Sequence, residues 1–580
     1  MHLSDNVNNI KKMDSINILI IDNCQVFSLS LSKMLMLLGF KSIHCAYSYQ
    51  QAIRMCSKKH YSILFIDYHL EQDLNGSELY DLLKDKGFIE SCSRLITISG
   101  DNTTQTVLST LSKGNGEYLC KPVSKAILNN KMVNACQEYK MFSYLYNLKK
   151  NSYNLESLKA HTIFLAKSKN INELDQFLFD LFTHDEKDCL LKLCNEPEFV
   201  NRRNYILKKL QLEADLNVRR QSELIESAES LCRIYPLFPS AFDFLSRLQT
   251  QQSCYEDALF SAHSALELTP SIPHRALNTL KLALTCNNKV YFIKSSHLLA
   301  NHLPIADPDW CSYIAECFNY YDSYIQNCQS EKEKNNLLIE QQNVARRFEY
   351  RLTETQKKQL LILLNFSKCK RLIMDGDIIK AKKITLKSIQ PFFDDLHRLN
   401  SVILIELLYL LSFFGELWLI ERVNFILKTK NHFNIYCKNY LNTLKEDVGI
   451  QESILLLSQT IIEFDRVENI NLSIDMVNNK LNHYQNILIQ FPYSSEIIIG
   501  ILECYVALSI DNPKKTSSIV SLVQGVPLSK TLMERRDKVL KSLHVHDFFI
   551  KEQSAMLGNS TMPKKIIPQE DVSFKIPLIK

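Results

Sequence analysis

The chain has 580 residues, 46% apolar and 23% charged, with 68 basic against 63 acidic side chains for a net charge of +5. That length exceeds one hydrophobic core and implies about two to four domains. The composition excludes disordered and fibrous classes, and the well-mixed charge argues against a dedicated nucleic-acid binder. Only 12 glycines and 15 prolines predict a mostly helical chain, because tight turns draw on glycine for positive φ. Seventeen cysteines, none in a C-x-x-C pair, read as reduced thiols of a cytoplasmic protein. The N-terminus has no apolar signal-peptide core, and residues 1–13 are expected to be flexible.

INILIID (Ile16–Asp22) is an apolar run ending in an acid, and SILFID (Ser62–Asp67) repeats the pattern. RLITIS (Arg94–Ser99) and EYLCKP (Glu117–Pro122) continue it, with Tyr118 and Lys121 in the last run. Between the runs lie helix-length segments whose apolar residues, such as Val26, Leu29, Met34, Leu37 and Leu38, fall at helical spacing. Buried strands alternating with helices predict right-handed crossovers in a doubly wound parallel sheet. Ligands of such sheets bind beyond the carboxyl ends of the strands, where Asp22, Asp67, Ser99 and Lys121 are expected to meet. Two acids with a lysine and a hydroxyl suit Mg²⁺ and a phosphoryl group, and an aspartate can act as the nucleophile.

These segments resemble the receiver domain of two-component response regulators. The matching features are Asp22-Asn23, Asp67-Tyr68-His69-Leu70, Gly76, Ser99-Gly100 and Lys121-Pro122, with separations of 45, 32 and 22 residues from Asp22 through Asp67 and Ser99 to Lys121. The resemblance covers residues 14–140 and implies a five-stranded flavodoxin-like fold. It implies that Asp67 is the phosphoacceptor, that Lys121 and Ser99 assist, and that Ser99 and Tyr118 form a switch pair. It also implies Mg²⁺ held by Asp22, Asn23, Asp67 and the His69 backbone carbonyl. The family usually has a second acid where this chain has Asn23, so weaker Mg²⁺ binding is expected. Lys121-Pro122 suits a cis bond. The implied partners are a histidine kinase or phosphotransfer protein, and a second copy of the chain through the surface around Tyr118.

Beyond a linker helix over 141–155, strand signals fade. Pro236, Pro270 and Pro304 are spaced by 34, as are Pro239 and Pro273. In the unit Phe238–Pro270 small residues fall at Ser246, Ala258 and Ala265, and the two alanines, seven apart, share one helix face. Pro270 is expected to end the second helix. The unit resembles the tetratricopeptide repeat, and an all-α solenoid of irregular repeats is expected over 155–545, binding a protein partner. Ser330–Gln359 is charged and periodic, predicting one long exposed helix. Val402–Ile420 is the most apolar stretch, but Glu406 and Glu416 leave too short a span for a bilayer, so buried helices and no membrane insertion are expected. Residues 546–580 are expected to be a flexible tail.

No signature of an output enzyme is present. The reading is a signalling protein whose phosphorylation at Asp67 switches the helical region's protein contacts. The alternatives are a constitutive adaptor with a degenerate receiver, or a nucleic-acid-binding transcription regulator, which the mixed charge disfavours.

Overall fold

The computed structural model describes residues 16–70, 76–90, 92–100, 116–150, 209, 221–305, 307–430, 433–446, 448–465, 474–509 and 513–543. The expected flexible termini, residues 151–155 of the linker and most of 156–220 lie outside the described residues. The chain divides into two compact units, Met1–Trp310 with Arg346–Leu352, and Cys311–Ala345 with Thr353–Lys580.

The first unit opens with β1 (Asn17–Ile21), α1 (Gln25–Leu37), β2 (Ser42–Ala46), α2 (Tyr49–Cys56), β3 (Ile63–Asp67), α3 (Gly76–Asp85), β4 (Arg94–Ser99), β5 (Gly116–Cys120) and α4 (Lys125–Lys150). The strands form one five-stranded sheet in the order β2-β1-β3-β4-β5, and every pairing is parallel. Alternation along β1 fills both faces of the sheet. Ile18 and Ile20 pack with Leu31 and Leu35 of α1, whereas Leu19 and Ile21 pack with Ala52 and Leu64 on the other side. A strand buried on both faces reads as a continuous apolar run. The doubly wound α/β fold is as expected.

The helix expected from the spacing of Val26, Leu29, Met34, Leu37 and Leu38 is present as α1, although of these residues only Met34 and Leu38 pack against the core. Val26, Leu29 and Leu37 are exposed, and the helix turns Ser28, Leu31, Ser32 and Leu35 inward. α1 is apolar nearly all round, so periodicity could not choose its buried face. Ser28 can be buried because its hydroxyl donates to the Cys24 carbonyl at 3.1 Å.

The other described residues of the first unit are mainly helical: α5 (Gln221–Ile234), α6 (Pro239–Gln251), α7 (Tyr255–Leu268), α8 (Pro273–Thr285) and α9 (Lys289–Asn301). Pro239 and Pro273 stand in the first turns of α6 and α8, where a missing N–H costs nothing. α7 ends at Leu268, two residues before Pro270. Ser246 of α6 donates to the Ala258 carbonyl of α7 at 2.8 Å, a close helix crossing that the small side chains permit. The α6–α7 and α8–α9 turns each place a non-glycine residue in the left-handed region, Ser253 at φ 62 and Asn287 at φ 52.

The second unit, also helical among its described residues, contains α10 (Trp310–Asn327) from Cys311 on, α11 (Glu331–Arg351) as far as Ala345, the last turns of α11 belonging to the first unit, and then α12 (Glu354–Met374), α13 (Ile378–Ile389), α14 (Ser401–Phe414) and α15 (Leu417–Thr429). It continues with α16 (Ile435–Glu446), α17 (Val448–Asp465), α18 (Ile474–Gln490), α19 (Ser495–Ala507), α20 (Pro513–Val523) and α21 (Lys530–Ser542). The single long exposed helix expected over 330–359 is corrected on two points. It breaks after Arg351, where Thr353 and Gln356 form a capping box that starts α12. It also buries Leu337, Val344 and Phe348 along one face. α14 and the start of α15 are buried, and no described helix is long and apolar enough to cross a membrane.

Candidate functional site

Three strand ends build the site. β1 runs out at Ile21, β3 at Asp67 and β4 at Ser99, and parallel pairing brings these ends to one edge of the sheet. The strand order reverses between β1 and β3, and the crevice at such a switch point is where open α/β sheets bind ligands.

Asp22 and Asp67 are both buried, and one ammonium joins them. Lys121 Nζ lies 2.9 Å from Asp22 Oδ2 and 3.0 Å from Asp67 Oδ2. The other Asp22 oxygen, Oδ1, accepts from the Cys24 backbone N–H at 2.8 Å. Burial pulls the Lys121 pKa down, but the hydrogen bonds to Asp22 and Asp67 and their charges outweigh it, so it rises above its ordinary value. The ammonium also sits 4.5 Å from the centre of the Phe27 ring, a cation–π contact. Its backbone is held by the edge as well: Lys121 N donates to the Ser99 carbonyl at 2.8 Å, and the Lys121–Pro122 peptide is cis.

Ser99 ends β4, fully buried, opposite Cys120 of β5. Tyr118 pairs with Thr97 two residues earlier, so it shares the sheet face of Ser99 and is half-buried there. Asn23 is exposed, and its Nδ2 donates to the Leu70 carbonyl at 2.6 Å. His69 lies on the exposed turn after Asp67, its ring edge-on to Tyr68. Gly76 closes this turn: its N–H donates to the Tyr68 carbonyl at 2.9 Å, and a Cβ there would stand 2.2 Å from the Asp67 carbonyl oxygen. Only glycine admits that approach.

The potential metal donors are all hard oxygens: two carboxylates, an amide and a backbone carbonyl, the chemistry Mg²⁺ prefers. Among the described residues no group of three or more His, Cys, Asp or Glu side chains could hold a metal. Two acids beside Asn23 agree with that. Sequence reasoning missed Phe27 and the Cys24 N–H. Their only signal was nearness to Asp22, since the face that α1 turns to the edge was not readable.

Residues 18–133 match the family model of the response regulator receiver domain. Comparison with curated proteins gives no match.

Proposed function

Starting from a receiver domain, which implies a two-component response regulator and a signalling protein rather than a metabolic enzyme, we propose that Asp67 accepts a phosphoryl group. The reading rests on one observation above all: Lys121 reaches across 99 and 54 residues of sequence to hold the carboxylates of Asp22 and Asp67. That arrangement leaves an aspartate as nucleophile beside a fixed cation able to take up charge on the incoming oxygens. Asp22, Asn23, Asp67 and the His69 carbonyl would hold Mg²⁺, which supplies further charge neutralisation when bound. Ser99 donates to the phosphoryl group from the neighbouring strand end, and Tyr118 follows on the same face.

The donor is a histidine kinase or phosphotransfer protein of the cytoplasm. The exposed apolar side chains of α1, Val26 and Leu29, lie next to the site and give such a donor a surface to rest on. Phosphorylation replaces the shared ion pair with a phosphoryl group and shifts the balance between two receiver states. Two packed links carry the shift toward helices of the same unit. Arg94, buried at the start of β4, stacks 3.7 Å from the ring centre of Phe142 on α4. Glu78, two residues after Gly76, lies 3.7 Å from Arg351. The helical region, a stack of hairpins of tetratricopeptide character, then gains or releases a protein partner.

Incubation of the full chain with acetyl phosphate and Mg²⁺ followed by intact mass tests the proposal. One labile phosphoryl adduct is expected, lost in Asp67→Asn and on chelation of the metal. An adduct that survives Asp67→Asn overturns it.

A further inference from the structure

The α12–α13 hairpin carries nine lysines and arginines against three acids, more net charge than the whole chain. Three of the cations point inward and are neutralised: Lys370 by Glu406 at 2.5 Å, Lys382 by Glu416 at 2.6 Å, and Arg371 by Asp322. A fourth, Lys357, pairs with Glu354 at 2.7 Å. Lys358, Lys368, Lys380, Lys383 and Lys387 form no ion pair among the described residues. The remaining acids of the hairpin, Asp375 and Asp377, sit in its turn.

Four of the five, Lys368, Lys380, Lys383 and Lys387, fall on one side of the hairpin. Lys380, Lys383 and Lys387 are three and four residues apart, so they share one helix face. That face is opposite the one that buries Ala381, Lys382, Thr385 and Ile389. On α12, Lys368 lies opposite the buried Phe366, Cys369 and Ile373, one face with Lys357 and Leu361. Asn365 to Ser388 at 2.9 Å and the Cys369 thiol to the Ala381 carbonyl at 3.3 Å fix how the two helices pack. Both helices turn their buried sides to the same core, so their lysine faces lie side by side. Leu361, 58% exposed, stands among the lysines.

We infer that the outer face of the α12–α13 hairpin is a docking surface for an acidic protein segment with aliphatic side chains. Self-repulsion among unneutralised lysines disfavours this face alone and is relieved when acids of a partner meet it. Nucleic acid is the competing source of negative charge. The face holds no arginine fork and no aromatic ring for stacking a base, and Leu361 would lie against phosphates with nothing apolar to cover it. An acidic helix with leucine at the same spacing meets both the lysines and Leu361. The inference does not depend on phosphorylation of Asp67.

The test is fluorescence anisotropy of the unphosphorylated full chain with a labelled peptide of glutamate and leucine at helical spacing. Binding is expected, and Lys380→Glu with Lys383→Glu and Lys387→Glu should weaken it at least about tenfold. The same charge change at scattered exposed sites, Lys58→Glu with Lys281→Glu and Lys538→Glu, should change it less than about twofold. Glutamine at the three hairpin positions, with an unchanged thermal melt, serves if the reversed variant fails to fold. No peptide binding, equal loss in the scattered variant, or displacement of the peptide by a single-stranded oligonucleotide of matching charge at lower concentration overturns the inference.

Discussion

Replacing Lys121 with methionine leaves Asp22 and Asp67 as two buried carboxylates with no ammonium between them. Removing one partner of a hydrogen-bonded buried charge costs more than the bond itself contributes. Lys121→Met is therefore expected to lower the melting temperature at neutral pH and to abolish phosphorylation. The pH dependence has a definite sign. The folded pKa of Lys121 lies above its unfolded value of about 10.4, so its stabilisation is complete below that pH and is lost as pH rises through the folded pKa. Wild type and Lys121→Met should converge in melting temperature as the solution becomes strongly alkaline, and a gap that stays constant to high pH contradicts this. Asn23→Asp restores a third acid to the edge. It should tighten Mg²⁺ binding several-fold, read by NMR shifts during titration, while the metal-free protein loses stability because a carboxylate replaces the amide donor to the Leu70 carbonyl. Gly76→Ala should be the harshest single change, since its Cβ meets the Asp67 backbone oxygen and cannot be accommodated by moving a flexible side chain.

At the level of elements, the links that leave the sheet are expected to matter separately from its chemistry. Phe142→Ala on α4 should cost about 3–5 kcal/mol from the lost ring, with the phosphoryl adduct still formed on the folded fraction. A complete loss of the adduct in folded protein would tie Phe142 to the site instead. The strands β1, β3 and β4 were legible because they are buried on both faces, whereas β5, half-buried at Glu117, Tyr118 and Cys120, showed itself by the short EYLC run before Lys121-Pro122. β2 gave no comparable run: it is one of the two edge strands, and SIHCA is only half-buried over four of its five residues. The site was legible for the related reason that its polar residues sit where those apolar runs end. The partners of these residues were not, because Phe27 and the Cys24 N–H depend on how α1 is rotated, and a helix apolar on every side does not state its rotation. Gly376, at φ 85 between α12 and α13, announced its turn, whereas Ser253 and Asn287 occupy the same conformation without a glycine to mark it.

Across the whole molecule, Glu406 and Glu416, which break the most apolar stretch, are the acids of two buried ion pairs. Lys370 and Lys382 on successive helices reach them, with Asn319 and Tyr436 completing one site and Ser495 and Trp418 the other. Such pairs contribute little net stability but penalise any arrangement that separates the partners. Lys382→Met should cost about 3–5 kcal/mol, and adding Glu416→Leu should recover more than half of the lost melting temperature. Full additivity of the two losses would refute the pairing. The most direct measurement on the account as a whole is borohydride trapping of the full chain after exposure to a phosphodonor, followed by peptide sequencing. Reduction of an acyl phosphate at the end of β3 should leave homoserine at position 67 alone, whereas trapping at any other carboxylate, or none in folded protein supplied with Mg²⁺, contradicts it.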